Sequence, residues 1–593
     1  MEVIVKVCHL FFLISWLGLF LATLTYIQHN LPLEVARRTY LRKELPSMLL
    51  ATVLGLSLII FHPEKLKNGF FHLKLTAGAC LIGCNIWYAK DLIRLRMPRI
   101  QLIRAVILGL ILTVLVSICI QKQVDSIRPN IVKLFLFFKE HMTTLTAFLD
   151  YLLLASCIII LTGNIILSFK TRFVQFRLFP HMLRAIASFF KKSNDQDLKH
   201  TIVAHKALFT AMSTTIGIST IVGPVIAMNL GGPGALLGFV LSTLFGCAAN
   251  FAEVTFALSF RKKTASGTIL GGPMQYLKDG ISANLAKCYA FFGLLLMIAW
   301  SSAQANQLAS ILASPALQSI SIPTVVTGIV VTLGTLYILV RGIKQIGDFS
   351  AKLVPAMFVI YVGAALWILA LHIDLLPAAV ALVFKSAFEP YTFASGAVVG
   401  GLAQALRWGV FKGVQSNEAG IGTQTIPHSM AENDIPADQG ILSMVATYSA
   451  GFICILSGLV TLVTGTWQRP DLALGINMVA ESFRMDFSYV GIVIVAISAF
   501  LFAFGTILGN SFNGSQCFGF LTNNKYSKIY FVITACGIFL GATSDVQVIW
   551  TMTDFFLAPL AVSHIAAIVY LSFTRKELLH TDQLKLEQPV ATS

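Results

Sequence analysis

Long apolar stretches alternate with short polar ones along almost the whole chain. Their lengths match the roughly 20 residues that a helix needs to cross a bilayer. They predict helices near 7–27, 46–62, 74–89, 101–121 and 147–168. A second set is predicted near 206–230, 233–260, 288–312, 323–340, 349–371, 390–412, 438–466, 487–512, 528–543 and 547–573. The first, Val7–Ile27, follows few positive charges and lacks a clear small-residue cleavage site. It reads as a retained helix rather than a cleaved signal peptide. The pattern as a whole is that of an all-α, polytopic membrane protein.

One stretch is interrupted. Ser213–Gly223 reads Ser-Thr-Thr-Ile-Gly-Ile-Ser-Thr-Ile-Val-Gly, and Gly231-Gly-Pro-Gly-Ala235 follows. Irregular backbone at membrane depth is tolerated only where it is buried in protein or lines a cavity. Small residues also let two helices approach closely. Taken alone, the segment supports both a solute site and a packing face.

Composition adds to this picture. Of 593 residues, 56% are hydrophobic and only 12% charged, against roughly 25% charged in an ordinary soluble domain. The net charge of +16 is not a nucleic-acid signal, because the basic residues sit in short loops between apolar runs. Anionic lipid headgroups are the partner that this distribution fits. The ten cysteines form no CxxC pair and no Cys/His metal spacing. No HExxH, GxSxG or GxxxxGK[ST] motif is present, which argues against an enzyme or a nucleotide-driven pump.

Loop charge predicts orientation. Residues 169–206 carry Lys170, Arg172, Arg177, Arg184, Lys191, Lys192, Lys199 and Lys206, and are expected on the cytoplasmic side. The N-terminus then faces outward and the C-terminus inward. The segment 122–146 fits poorly, since Lys122, Arg128, Lys133 and Lys139 would face outward. A re-entrant or interfacial piece at Val132–Phe138 is one explanation.

From residue 206 there are ten predicted spans, which divide as five plus five. An odd repeat inverts its second copy. The first half opens with Ser213–Gly223 and the second with Ala394–Gly401, both glycine-interrupted. Such a pair of segments is a pointer to a transporter's binding site.

Ordered motifs then carry a resemblance. They are Lys170–Arg177, GGPGA at 231–235, Phe251-Ala-Glu253, GGPM at 271–274 with Tyr276, and Gln304 with Asn306. Leu353-Val-Pro355, Met357 and Tyr361 follow. Next come Ser416-Asn-Glu-Ala-Gly-Ile-Gly422, His428, Thr461–Gly465, and Phe502–Phe504 with Thr506. Over about residues 147–575 the chain resembles the alanine or glycine:cation symporters. That family is similar to leucine-transporter-like carriers, with a five-plus-five inverted repeat. The resemblance implies four parts: extra transmembrane helices at 1–146, a leading helix and basic loop at 147–205, a transport core at 206–575, and a cytoplasmic tail at 576–593. It also implies cation-coupled symport of a small neutral amino acid, with Na+ the first candidate, in a bacterial inner or plasma membrane.

The expected substrate set is Gly217, Ile218, Ser219, Thr220, Gln304, Ser395, Gly396, Gly400, Gly401 and Asn510. Gly217, Thr220 and Thr506 are the expected sodium ligands. The carboxylate is expected near Ser219–Ile221 and the ammonium or cation near Thr214–Gly217. The chain departs from the family at Ile218, Ser219 and Thr220, at Gly505 (usually Ser), at Ser449-Ala450 and at Asn510 (usually Trp). These departures leave open a same-fold carrier of another small amine or a D-amino acid using H+, or a membrane sensor that no longer transports. Three polar residues within apolar runs carry further expectations. Glu253, with Arg261, Lys262 and Lys263 close by, is expected in a structural ion pair or at a helix end. Asp554 and His564 are not expected to touch. Asn417 and Glu418 are expected in a cytoplasmic loop or at a helix end, fixing that loop or gating the inner vestibule, and His428 in a loop. Oligomeric state is not legible.

Overall fold

The computed structural model describes residues 152–189 and 203–579, apart from 264–268, 315–316, 318–320, 340–342, 393–397 and 434. All of these belong to the second of two compact units, Ala147–Ser593. The four N-terminal spans, the Val132–Phe138 segment, Ser395 and Gly396 lie outside the described residues, as does most of the tail.

Helix α1, Leu152–Lys170, leads into the core. Arg172 and Phe173 have positive φ, 54° and 52°, and turn the chain away from it. The first half of the core follows. It contains α2 (Ala204–Thr215), α3 (Ile218–Gly231), α4 (Ala235–Ser259), α5 (Pro273–Gly280), α6 (Ala283–Leu312), α7 (Thr324–Leu339) and α8 (Ile343–Leu371). Two strands, β1 (Lys262–Lys263) and β2 (Ile269–Leu270), pair antiparallel between α4 and α5. The Ser282 hydroxyl accepts from the Asn284 and Leu285 amides and so caps α6.

The second half begins with α9 (Leu376–Phe388) and an antiparallel pair, β3 (Pro390–Thr392) with β4 (Val398–Gly400). Leu402–Gln404 and a π-helical turn, Ala405–Val410, lead into α10 (Phe411–Asn417) and α11 (Thr425–Ser429). Helices α12 (Pro436–Val463), α13 (Ile476–Leu521), α14 (Ser527–Thr543) and α15 (Val546–Thr574) complete it. Eight described helices are long and apolar enough to cross a membrane, while α7 and α14 are shorter apolar helices. The order is five plus five, as expected.

Corresponding elements of the halves pack on each other: α4 against α12, and α6 against α13. Small residues permit the approach. A Cβ at Gly451 would lie 2.2 Å from Thr243 Oγ1, and one at Gly440 2.4 Å from Thr255 Oγ1. The interrupted pair α2–α3 sits at the centre, with 94% of its most apolar stretch buried, against 44% for α1 and α8. Lipid therefore never meets its broken backbone.

Three expectations change. Helix α9 was not anticipated, because 376–388 is too short to read as a span. Of the expected second interruption, Ala394–Gly401, the first four residues lie outside the described ones and Val398–Gly400 form β4; an interruption that was not expected follows Asn417. There Glu418, Gly420 and Gly422 have φ of 54°, 79° and 90°, and only glycine adopts such values without strain. Finally, α13 is two helices that meet at Ser488 (φ 53°, ψ −137°); the second begins where the expected span 487–512 does and runs on to Leu521, while the first was not expected.

Candidate functional site

The first core span breaks at two residues. Ile216 (φ −86°, ψ 79°) ends α2 and Gly217 (φ −107°, ψ −174°) precedes α3. The break leaves carbonyls at the end of α2 and amides at the start of α3 without helical partners. Gln304 of α6 takes one of them: the Ile218 amide donates to its Oε1 at 2.7 Å. The Gly217 carbonyl accepts from the Thr220 hydroxyl at 2.6 Å and from the Thr220 amide at 3.0 Å. A side chain at 217 has no room, since a Cβ would lie 2.6 Å from Thr506 Oγ1 and 3.0 Å from Gln304.

The second break is held by polar side chains. The Gln424 amide donates to the Asn417 carbonyl at 2.7 Å, and Asn417 Oδ1 accepts from the Ala419 amide at 3.1 Å. The Thr423 hydroxyl donates to Glu418 Oε2 at 2.5 Å. Asn250 of α4 donates to Gln424 Oε1 at 2.9 Å, and Asn513 of α13 donates to the Thr423 carbonyl at 3.2 Å. The Ser-Asn-Glu-Ala-Gly run is thus a scaffold for an irregular turn. The breaks are linked directly, because the Ser416 hydroxyl donates to the Ser219 carbonyl at 3.1 Å.

Between them lies a cavity lined by Thr214, Ser219, Trp300, Ala303, Gln304, Gln415, Glu418, Thr506, Asn510 and Trp550. Its free volume is about 10 Å³, room for about one water molecule. Four of the expected site residues, Ser219, Gln304, Thr506 and Asn510, share this lining. Both amide atoms of Asn510 are buried without a hydrogen-bond partner. Gly217, Ile218 and Thr220 shape the break behind the cavity instead of lining it. Gly400 ends β4, and Gly401 precedes Leu402 with φ 78°; neither is part of the lining. Thr214, at the edge of the stretch expected to hold the ammonium or cation, also lines the cavity, while sequence reasoning missed Trp300, Gln415, Glu418 and Trp550. Glu418 stands at the end of α10, within the expected loop or helix end, but is only 2% exposed and lines the cavity.

The model of the sodium:alanine symporter family matches residues 137–588. The chain belongs to this family. An uncharacterized transporter of Haemophilus influenzae is 33% identical over 72% of this chain and 95% of its own length. A sodium/alanine symporter of Methanococcus maripaludis, AgcS, is 32% identical over 70% of this chain and 91% of its own. A probable sodium/glutamine symporter of Bacillus subtilis, GlnT, is 28% identical over 70% and 85%. Among solved structures, an outward-open Na+-coupled sialic acid symporter matches with 12% identity and a TM-score of 0.42. That match covers 71% of this chain and 86% of that one. The chain is therefore a transporter and not an enzyme.

In this symporter-family chain, oxygens converge on one flank of the cavity. The Thr506 hydroxyl donates to the Ser213 carbonyl at 2.9 Å, and the Ser350 hydroxyl of α8 donates to Ser213 Oγ at 3.0 Å. Gly505 is constrained by packing, since a Cβ there would lie 3.0 Å from Leu353. On the other flank, the Lys412 ammonium meets Asp554 at 2.7 and 2.9 Å and Gln415 Oε1 at 3.1 Å. It also stands 4.9 Å from the centre of the Trp550 ring. Asp554 is thus committed to an ion pair, and it and His564 have separate partners. His428 is buried in α11 and bonded to Gln439 at 2.7 Å. Arg261 donates to the Ala431 and Asn433 carbonyls and Lys262 pairs with Asp279, so neither neutralises Glu253. Partial burial pushes the Asp279 carboxyl up. The Lys262 ammonium and the Gln275 amide outweigh this and hold it below the ordinary carboxylate value.

Proposed function

We propose that this protein is a sodium-coupled symporter of small neutral amino acids, alanine or glycine first. The observation that carries this reading is the meeting of two helix interruptions around one small polar cavity. A zwitterion needs donors for its carboxylate and acceptors for its ammonium within a few ångströms. The start of α3 offers amides and a positive dipole end at Ser219. The end of α2 offers carbonyls, and Glu418 offers a carboxyl group.

Asn510 and Gln304 supply amides that can both donate and accept. The unpartnered Asn510 amide, in particular, is a buried polar group that a substrate would satisfy. Trp300 and Trp550 wall the space. With room for about one water molecule, the cavity is that of a closed state, and these walls must part to admit any amino acid.

Sodium would be cargo here, moved with the substrate. It is a hard cation and takes oxygen ligands, by the reasoning that holds for other hard cations. The Ser213 carbonyl and the Thr506 and Ser350 hydroxyls form such a donor set. The AgcS relative is named for sodium and alanine, which supports the same pairing in this chain.

The test is uptake of radiolabelled alanine, glycine and glutamine into proteoliposomes under an imposed sodium gradient. Concentrative alanine or glycine uptake that collapses when sodium is replaced by choline is the expected result. Absence of uptake for every small neutral amino acid would overturn the substrate reading. Uptake indifferent to sodium would overturn the coupling ion alone.

A further inference from the structure

Helix α4 carries an acid inside the membrane. Glu253 lies about 9 Å along the axis from the end of α4 and is fully buried. Neither carboxyl oxygen has a hydrogen-bond partner among the described residues. The nearest ring nitrogen, His564 Nδ1 of α15, is 3.8 Å from Oε2. It is already engaged with the Gly420 carbonyl at 2.7 Å. A carbonyl can only accept, so this contact assigns the hydrogen to Nδ1 and aims it away from Glu253.

The surroundings are closed on every side. His564 Nε2 meets the Tyr276 hydroxyl of α5 at 2.5 Å. The Tyr289 hydroxyl of α6 donates to the Ile421 carbonyl at 2.7 Å. Asn164 of α1 abuts Gly420, and both its amide atoms are also buried without partners. The ionisable groups that face Glu253 are His564, Tyr276, Tyr289 and, from the second break, Glu418. None is a fixed cation. Among the described residues no lysine or arginine pairs with Glu253. The backbone amides of Gly420 and Gly422 are the donors that lie near Glu253, yet neither completes a hydrogen bond to its carboxyl oxygens. A carboxylate buried in this way, with no cation beside it, is disfavoured, whereas a neutral acid is tolerated.

We propose that Glu253 is a proton-binding site governed by the Gly420–Gly422 loop. With the loop closed, the Glu253 carboxyl holds one proton, and it releases that proton to water only when the loop withdraws. The step forms or breaks one O–H bond and neutralises or restores one negative charge, while His564 stays neutral. The same loop begins at Glu418, which lines the substrate cavity. Closing the cavity and protonating Glu253 are therefore linked, and linkage is reciprocal: each favours the other. High pH should oppose closure, because the ionised carboxylate must first find a proton.

Two measurements test this. In the first, alanine uptake by proteoliposomes is followed from about pH 6 to about pH 8.5 for the full chain and for Glu253→Gln. The wild-type rate should fall at least about tenfold across that range, and the residual uptake of Glu253→Gln, whatever its level, should not vary with pH. Equal pH dependence in both, or a flat wild-type profile, overturns the proposal. This arm rests on the transport reading above.

The second arm does not, because it involves no substrate. Infrared difference spectra, wild type minus Glu253→Gln, are recorded in lipid at neutral pH. They should contain the C=O stretch of a protonated carboxylic acid that shifts on deuteration. Carboxylate bands in its place overturn the proposal. Glu253→Asp, which should shift the acid band without abolishing it, serves if the glutamine variant fails to fold.

Discussion

Thr506 and Gly217 meet where the first and eighth core spans cross, and their contact defines what each can tolerate. Thr506→Val removes one oxygen near the Ser213 carbonyl and leaves the cavity walls in place. Sodium half-activation should rise about tenfold, the equivalent of roughly 1.4 kcal/mol, with the preference among amino acids unchanged. Sodium titration of uptake checks this, and unaltered activation would remove Thr506 from the ion site. Gly217→Ala pushes a methyl group into Thr506 and Gln304. Overpacking of this kind costs about 1–3 kcal/mol, so the variant should fold while uptake falls at least about tenfold. Gln304 and Thr506 were legible in the sequence because both are polar residues within apolar runs, at positions that match a known motif. Glu418 was not. Its neighbours read as a glycine-rich loop, and only the burial of Glu418 and its place in the cavity lining show that the loop folds back into the core.

At the scale of elements, most spans of the core were legible, and the break after Asn417 was not. Ala394–Gly401 has the more conspicuous run of small residues, yet Val398–Gly400 pairs with Pro390–Thr392 as a hairpin. The break after Asn417 is set by side-chain hydrogen bonds from Asn417, Thr423 and Asn250, and hydropathy does not register those. The buried pair Lys412–Asp554 was equally hidden, because its partners are far apart in sequence and join α10 to α15. Asp554→Asn alone strands an ammonium that is 3% exposed. It should destabilise the protein by about 3–5 kcal/mol. The double variant Lys412→Met with Asp554→Leu should be less damaging than that single change. Thermal melting in detergent separates these outcomes, and equal melting temperatures for the single and double variants would show that the pair is not coupled. Gly409 makes a related point about packing. A Cβ there would lie 2.1 Å from the Ala235 carbonyl, so Gly409→Ala should lower the melting temperature measurably.

At the scale of the whole molecule, the family match covers residues 137–588 and relatives align over nearly their full length. A chain beginning near residue 137 should therefore retain sodium-dependent uptake in proteoliposomes. Loss of uptake with normal insertion would show that the preceding residues take part in transport. Substrate and sodium together should also raise the melting temperature, since they bind only the folded state. One feature of the core has a mechanical consequence. If straight, α13 would extend about 69 Å, more than twice the thickness of a bilayer's hydrocarbon core. Instead the chain turns back sharply at Ser488, bringing Gly491 against the Phe483 carbonyl. Ser488 thus acts as an elbow. The forearm, Ile476–Phe487, and the upper arm, which carries Thr506 and Asn510 to the cavity, are two rods joined at one residue, and a change of angle at Ser488 would leave the cavity lining on the upper arm in place.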